Sequence, residues 1–575
     1  MGPVVVARGK DFGVVKALWL ALLLVAGVLA GWGLWQNLRH SGPTGDEQLH
    51  ITAGMVKWHA GRFSMGAYQP PLGQLWLTFP EPGMPPISLK THEASYRENR
   101  WEEFSDVFFY RSGNSARALL GRCRAHAWAF TLLTALGLTV MLWREWGAAP
   151  ATIASLWFLV HPLLLAHGAS ARTDVFAMGT YLLAVVTLVN YLRQPSRARL
   201  GLAALGFSLA QLSKAHAWAL FPSLLVLLLN NPYGITLPVR RALLVVLLTW
   251  LGTTWAVYGF EFQPLFHDVA ARAQKEAFVR GALPTPLHAP VLFLAERVPI
   301  PAKSYWLTLP NTLLRTLAHP AHSDVARYRD YRFWIFYPAL FILKTPLTLL
   351  LLCLSALGYL ALRARVWHEP LLRCWTTAYG FLLLLILLNA TQSGLQHVLP
   401  LLPYLAFLLA AALGQAKPQA KMAPLVLALL VLGGSWWELR SVRWDYLAYF
   451  NAAAGGPERG FLLANHFSYP LSLSAIDANY EWGQHTAELN AAMAQLHIDR
   501  IYLRDEAYHY YRNELQASGI AAGSEPHLLS PALGERRYLY LAGGEWPKLA
   551  PYRERPAAAT LGFNGRIFAV GGRNP

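Results

Sequence analysis

Two adjacent carboxylates, Asp46 and Glu47, stand with His50 in the stretch GPTGDEQLHITAG, shortly beyond an apolar run. Neighbouring acids on one backbone do not both face the same reacting group. One is free for chemistry while the other holds an Arg, a Lys, a His or a metal. A carboxylate at a membrane mouth serves as general base when its surroundings raise its pKa towards working pH. Taken alone, the stretch fits a hydrated acidic loop equally well.

Three more groups could join it. Asp174 lies in HGASARTDVF, close to His167, Arg172 and Thr173. An acid at a span boundary also serves as an interface anchor, so its value depends on facing the same side as Asp46. Lys214 sits between two short apolar runs, and Lys344 lies inside one, roughly 12 Å along a helix from its start. A charge at such depth costs about 2.5–3.5 kcal/mol on insertion scales and marks a functional candidate, with snorkelling to the headgroups as the bland account. A lipid phosphate would satisfy both accounts. His397 opens a further apolar run in SGLQHVLPLLPYL.

These residues need a membrane scaffold to position them. The chain of 575 residues is 54% hydrophobic and 14% charged, against about 25% charged in soluble domains. A crossing helix takes roughly 20 apolar residues. About eleven runs approach that length: Ala17–Trp35, Ala125–Trp143, Ala151–Ala166, Val175–Leu192, Leu200–Leu212, Ala217–Leu229, Leu243–Phe260, Phe336–Leu362, Trp375–Leu388, Val398–Leu413 and Met422–Trp437. The first follows Arg8, Lys10 and Lys16 and reads as a signal anchor, being longer than a cleaved signal core. Cys123, Cys353 and Cys374 lie in or beside these runs and imply no disulfide framework.

With a cytoplasmic N-terminus, alternate loops should be basic. Those loops carry Arg144, then Arg193, Arg197 and Arg199, then Arg240 and Arg241, then Arg363, Arg365 and Arg373, then Lys417 and Lys421. The net charge of +17 is thereby explained without nucleic acid, for which no basic stripe or zinc-finger pattern is visible. Segments 37–120 and 261–334 and everything after 438 then fall outside. Residues 1–438 form the expected polytopic catalytic region. Residues 439–575 form an extracytoplasmic C-terminal α/β domain, with a helix near 483–496 and strands at 500–504 and 537–543. A bacterial inner (plasma) membrane is the expected location.

Taken in order, the motifs resemble a known family. DEQLHITAG followed by GRFSMGAYQPPL is similar to the first external loop of polyprenyl-phosphate-dependent glycosyltransferases. These form family 39 of the GT-C fold class, related to protein O-mannosyltransferases and to the lipid A aminoarabinose transferase. HGASARTD, LAQLSKAHAWALFP, YPALFILKTPL and GLQHVLPLLPYL resemble successive blocks of bacterial members, as do YLAYFNAAAGGPERG and DANYEWGQ after the last span. The resemblance runs from about residue 40 to 490. It implies a polyprenyl-phosphate sugar donor, inversion at the anomeric carbon and an external Asp as base, mapping to Asp46 with Glu47 beside it. Asp174, Lys214, Lys344 and His397 match family-like blocks, and with His50, Arg172 and Gln396 they become the substrate-binding candidates. The chain departs from the pattern at Tyr68 and Gln69 before Pro70-Pro71, at Glu481, and at Gln396, where an Arg is common. An amide does not replace a bidentate guanidinium on phosphate, so Lys214 or Lys344 would have to compensate.

The expected function is transfer of a sugar to an acceptor hydroxyl on protein, glycan or lipid. A divalent cation (Mg or Mn) is a further expectation for the leaving phosphate. Three rivals remain: a transporter or flippase of a lipid-linked sugar, a non-catalytic assembly protein, and a family member that has lost turnover.

Overall fold

The computed structural model describes residues 11–66, 69–84, 86–266, 276, 279–280, 283–308, 331–388, 394–416, 422–465, 484–503, 515, 521–524, 537–541, 556–561 and 565–570. Tyr68, Lys417, Lys421 and Glu481, with much of segment 261–334, lie outside the described residues.

The chain is an α-helical membrane protein. α1 (Asp11–His40) leads into a hydrophilic segment with α2 (Gly45–Ala60), α3 (Leu72–Leu77), α4 (Ala94–Arg97) and α5 (Trp101–Asp106). The bundle continues with α6 (Ala116–Trp146), α7 (Ala148–Leu159), α8 (Pro162–His167), α9 (Asp174–Arg193), α10 (Arg197–Gln211), α11 (Leu220–Leu229) and α12 (Val239–Val257). A second hydrophilic segment holds β1 (Phe262–Pro264), α13 (His288–Arg297) and β2 (Pro299–Pro301), with the two strands antiparallel. Then come α14 (Tyr331–Leu343), α15 (Leu347–Ala361), α16 (Pro370–Leu388), α17 (Leu402–Gln415) and α18 (Ala423–Leu439).

Among the described residues, seven segments are long and apolar enough to cross a membrane, and four shorter apolar helices accompany them. Helices dominate because a bilayer offers no partner to an open backbone N–H or C=O. Burial sorts the spans. In α9, 78% of the apolar window lies inside the bundle, against 17% in α12, so α9 is central and α12 peripheral. Leu20, Leu24, Val25 and Val28 of α1 stay exposed, as a lipid-facing side requires.

The helices differ from the expected spans at two interruptions. The run Ala151–Ala166 breaks at His161-Pro162. Proline starts α8 without a donor, and the His161 imidazole accepts from Leu163 N (3.2 Å) to cap it. The run Phe336–Leu362 breaks at Lys344-Thr345-Pro346. The end of α18 and the segment after it satisfy the freed backbone. Glu438 Oε1 accepts from Leu347 N (2.9 Å), and Asn451 Nδ2 donates to Ile342 O (2.7 Å) and Thr345 O (3.0 Å). The expected run Leu200–Leu212 is the 15-residue α10, which begins with Arg197 and Arg199.

After α19 (Gly456–Asn465), α20 (Thr486–Gln495) packs Leu489 and Met493 on a small sheet. Its strands are β3 (Arg500–Leu503), β4 (Ala521–Ser524), β5 (Arg537–Leu541), β6 (Ala559–Leu561) and β7 (Gly565–Val570), in the order β4-β3-β5-β7-β6. β4, β3 and β5 are parallel, while β7 runs antiparallel to β5 and β6. The expected helix and both expected strands fall in this unit. Arg504 and residues 542–543 lie outside the described residues.

The site end depends on one close approach. A Cβ at Gly54 of α2 would stand 2.5 Å from Gln74 O of α3, so only glycine lets the two helices meet there. Gly54→Ala should lower stability by about 1–3 kcal/mol through overpacking, read as a lower denaturation temperature in detergent.

Candidate active site

The turn between α1 and α2 is fixed by a buried ion pair. Glu47 is fully buried, and Arg124 of α6 grips it with Nε on Oε1 (2.8 Å) and Nη2 on Oε2 (2.6 Å). Ala171 N also donates to Oε1 (2.8 Å), while Thr44 N (2.9 Å) and its hydroxyl (3.0 Å) donate to Oε2. The remaining Arg124 donors reach Leu38 O (3.2 Å), Ser41 O (2.7 Å) and Gly42 O (2.5 Å). Burial alone would raise the Glu47 pKa, but Arg124 and the hydrogen bonds draw it down to about 2. Glu47 therefore stays ionised with its oxygens engaged.

Asp46, one residue earlier, is the opposite case. It is half-buried and has no hydrogen-bond partner among the described residues. Burial raises its pKa most. Arg172 and Lys214 pull it down, Asp174 and Glu47 push it up, and the balance lies above an ordinary carboxyl. Asp46 thus shares one field with Asp174, Arg172 and Lys214. Lys214 pairs with Asp174, and Arg172 Nη1 lies 4.0 Å from Asp174 Oδ2. Arg172 Nη2 also meets His167 Nδ1. All three charged residues are buried: Asp174 at the start of α9, Arg172 in the turn before it, and Lys214 after α10.

His50 lies on α2 four residues after Asp46. Its Nδ1 accepts from Gln74 Nε2 (3.2 Å), which leaves Nε2 to carry the proton. Burial lowers its pKa to about 3, with Lys214 and Arg172 adding to the fall and Asp174 opposing it. His50 is a neutral imidazole.

His397 joins the cluster by its ring, stacked on His216 at 5.3 Å and edge-on to Tyr337 at 6.4 Å. Gln396 beside it is buried, and its Oε1 has no hydrogen-bond partner among the described residues. Lys344 stands apart at the helix break. Its Nζ donates to Leu447 O (2.7 Å) and sits 4.1 Å over the Phe450 ring. It faces an apolar recess that includes His167 and Leu395. A second, more polar recess holds Thr44, Ser170, Arg172 and Asp445, and the two share Ala166 and Leu447. His167, which meets Arg172, connects the two recesses.

The structure therefore gathers Asp46, His50, Arg172, Asp174, Lys214 and His397, puts Glu47 behind them, and sets Lys344 in the adjoining recess. Sequence reasoning missed Arg124. It lies within the helix Ala116–Trp146, but the expected span began at Ala125 and left the charge in the loop. Counting a charge inside a span as a candidate would have found it. Asp445 was missed too. It contacts buried His485 (3.2 Å), just before α20, and no local pattern signals that long-range pairing. For a cation, no group of three or more His, Cys, Asp or Glu with metal-holding geometry occurs among the described residues.

No protein-family model matches the chain, and no curated protein matches it. Two crystal structures of ArnT from Cupriavidus metallidurans, one bound to undecaprenyl phosphate and one in the apo state, are similar to it. Each has a TM-score of 0.44 and 14% identity, over 98% of this chain and 100% of that chain. The undecaprenyl phosphate is the ligand of that protein.

Removing Arg124 leaves Glu47 buried without its counter-charge, a loss of about 3–5 kcal/mol. Arg124→Leu should therefore unfold at a markedly lower temperature in detergent. Glu47 has a lower pKa folded than its ordinary value of 4.5. Its stabilisation is thus complete above pH 4.5 and lost as pH falls towards about 2. Glu47→Gln should flatten that part of the stability–pH curve; an unchanged acid slope would show that the pair contributes nothing.

Proposed function

We propose that the chain is an inverting glycosyltransferase that moves a sugar from a polyprenyl-phosphate carrier to an acceptor hydroxyl at the external face of a membrane. The observation that carries this reading is the contrast between the two adjacent acids. Glu47 is saturated by donors, whereas Asp46 is unbonded, raised in pKa and held in the field of Arg172 and Lys214.

In this mechanism the acceptor hydroxyl hydrogen-bonds to Asp46. As its oxygen attacks the anomeric carbon from the face opposite the phosphate, its proton passes to the Asp46 carboxylate. The bond from the anomeric carbon to the phosphate oxygen breaks, and the polyprenyl phosphate leaves ionised. It needs positive charge rather than an acid. Arg172 and Lys214 supply that charge, and Asp174 keeps both at the cluster. Lys344, in the adjoining apolar recess, suits the prenyl-side oxygen of the phosphate. Neutral His50 serves as a hydrogen-bond donor through Nε2. Glu47 is a positioning residue, because its oxygens are already engaged.

Gln396 does not supply the bidentate contact that Arg gives in the family pattern, and the buried Arg172 takes that part here. A Mg or Mn ion, if bound, would be held by Asp46 and would supply positive charge for the leaving phosphate. No group of three or more His, Cys, Asp or Glu with metal-holding geometry occurs there among the described residues, so each step is assigned to this chain's own side chains. The external placement is supported by charge, since the loops bearing Arg144, Arg193, Arg240 and Arg363 belong to the other face under the positive-inside rule. We assign residues 1–438 to the catalytic region and 439–575 to the C-terminal unit, whose His485 contact with Asp445 borders the polar recess.

Purified protein in vesicles, given a polyprenyl-phosphate sugar, should release polyprenyl phosphate. Asp46→Asn should insert normally and lower transfer by at least about 10²–10⁴-fold. Near-normal turnover would remove Asp46 from the role of base.

The pH profile offers a second test. The base acts deprotonated, and its pKa is raised, so activity should fall as pH drops through a value above the ordinary carboxyl range of about 3.9. An acid limb at or below that ordinary range would contradict the assignment.

A further inference from the structure

A recess lies roughly 20–30 Å along α9 from Asp174, towards the opposite end of that helix, taking 1.5 Å per residue. It occupies about 310 Å³ between α9 and α10 and is lined by Thr187, Asn190, Arg193, Gln194, Arg199 and Leu202. Its origin is a glycine. A Cβ at Gly206 of α10 would meet Ala184 Cα at 3.2 Å and Thr187 Oγ1 at 2.6 Å, so the helices touch there. Towards Asn190 and Arg199 the space between them opens.

The groove is polar at one end and apolar at the other. Arg193 is neutralised by Glu145, Nη1 to Oε1 at 2.9 Å and Nη2 to Oε2 at 2.8 Å. Arg199 keeps its charge: one hydrogen bond runs from Nη1 to Gln194 O (2.8 Å), and its other N–H groups have no acceptor among the described residues. The side-chain amides of Asn190 and Gln194 are likewise without partners among the described residues, although both line the groove. On the open side Leu202 is 56% exposed, with Leu205 and Leu183 exposed beside it, which fits a lipid-facing lip.

We propose that this groove is a binding site for a phospholipid with an anionic headgroup. The phosphodiester takes the free face of the Arg199 guanidinium. The two amides hydrogen-bond the phosphate and the glycerol esters, and an acyl chain runs along Leu202 and Leu205. One unneutralised cation matches one net negative charge. A zwitterionic lipid brings an ammonium that the groove has no acid to receive, since Glu145 is held by Arg193. The apolar lip argues for a lipid over a free anion. The proposal does not depend on the reaction assigned to the other end.

The test is native mass spectrometry of the detergent-purified full chain, titrated separately with phosphatidylglycerol, phosphatidylcholine and inorganic phosphate. The wild type should carry one tightly held phosphatidylglycerol, retained at collision energies that strip phosphatidylcholine. Arg199→Gln should weaken that adduct by about fivefold, the effect of one basic residue at a membrane surface. Asn190→Leu should weaken it while keeping the charge, and Asp46→Asn should leave it unchanged. Equal retention of the two lipids, or an adduct indifferent to both groove variants, would overturn the proposal. Displacement of phosphatidylglycerol by inorganic phosphate would overturn it too, leaving a free-anion site.

Discussion

The Arg124–Glu47 pair is the constraint on which the site depends. A carboxylate and a guanidinium buried together are tolerable only when nearly every lone pair and N–H finds a partner. Here those partners come from four stretches of chain: the end of α1, the start of α2, the first third of α6 and the turn before α9. Satisfying the pair therefore fixes how those stretches meet. Ala171, which donates to Glu47, is next to Arg172, and Asp46 is next to Glu47. The same bonds that bury one acid leave its neighbour turned towards the cations.

A second constraint acts at the helix break. A run long enough for one span is divided at Lys344-Thr345-Pro346, and the exposed backbone needs partners that a bilayer does not offer. Glu438, in the last turn of α18, and Asn451, beyond it, provide them. Thr345 adds a link to the other break, bonding Phe341 O (2.6 Å) and meeting His161 Nε2 (3.3 Å). Both interruptions open into the region of Lys344 and His167. Broken helices let a polar recess exist at membrane depth, and the segment after the last span closes it.

Much of this was legible in the sequence because membrane spans are written in composition. Apolar length alone locates the runs, and the positions of Arg144, Arg193 and Arg240 suggest the direction. The acid pair, Asp174 and Lys214 stood out because charge is expensive beside apolar runs. The two helix breaks were less legible. Hydropathy averages over a window and passes smoothly across His161-Pro162 and Lys344-Pro346, although each proline marks the break in retrospect. In the C-terminal unit, α20 and the strands at Arg500 and Arg537 follow apolar periodicity, whereas β4 is the small-residue run Ala-Ala-Gly-Ser, which carries no alternation to read. Asp445 meeting His485 and Arg124 meeting Glu47 are long-range pairings, and no local window encodes them.

The most direct test of the central spatial claim is an experimental structure of the full chain with a polyprenyl phosphate bound. The account predicts the phosphate within hydrogen-bond reach of Arg172 or Lys214, on the side facing Asp46, with the Glu47–Arg124 pair intact behind it. A phosphate lodged elsewhere in the bundle, with Asp46 facing away from it, would contradict the account.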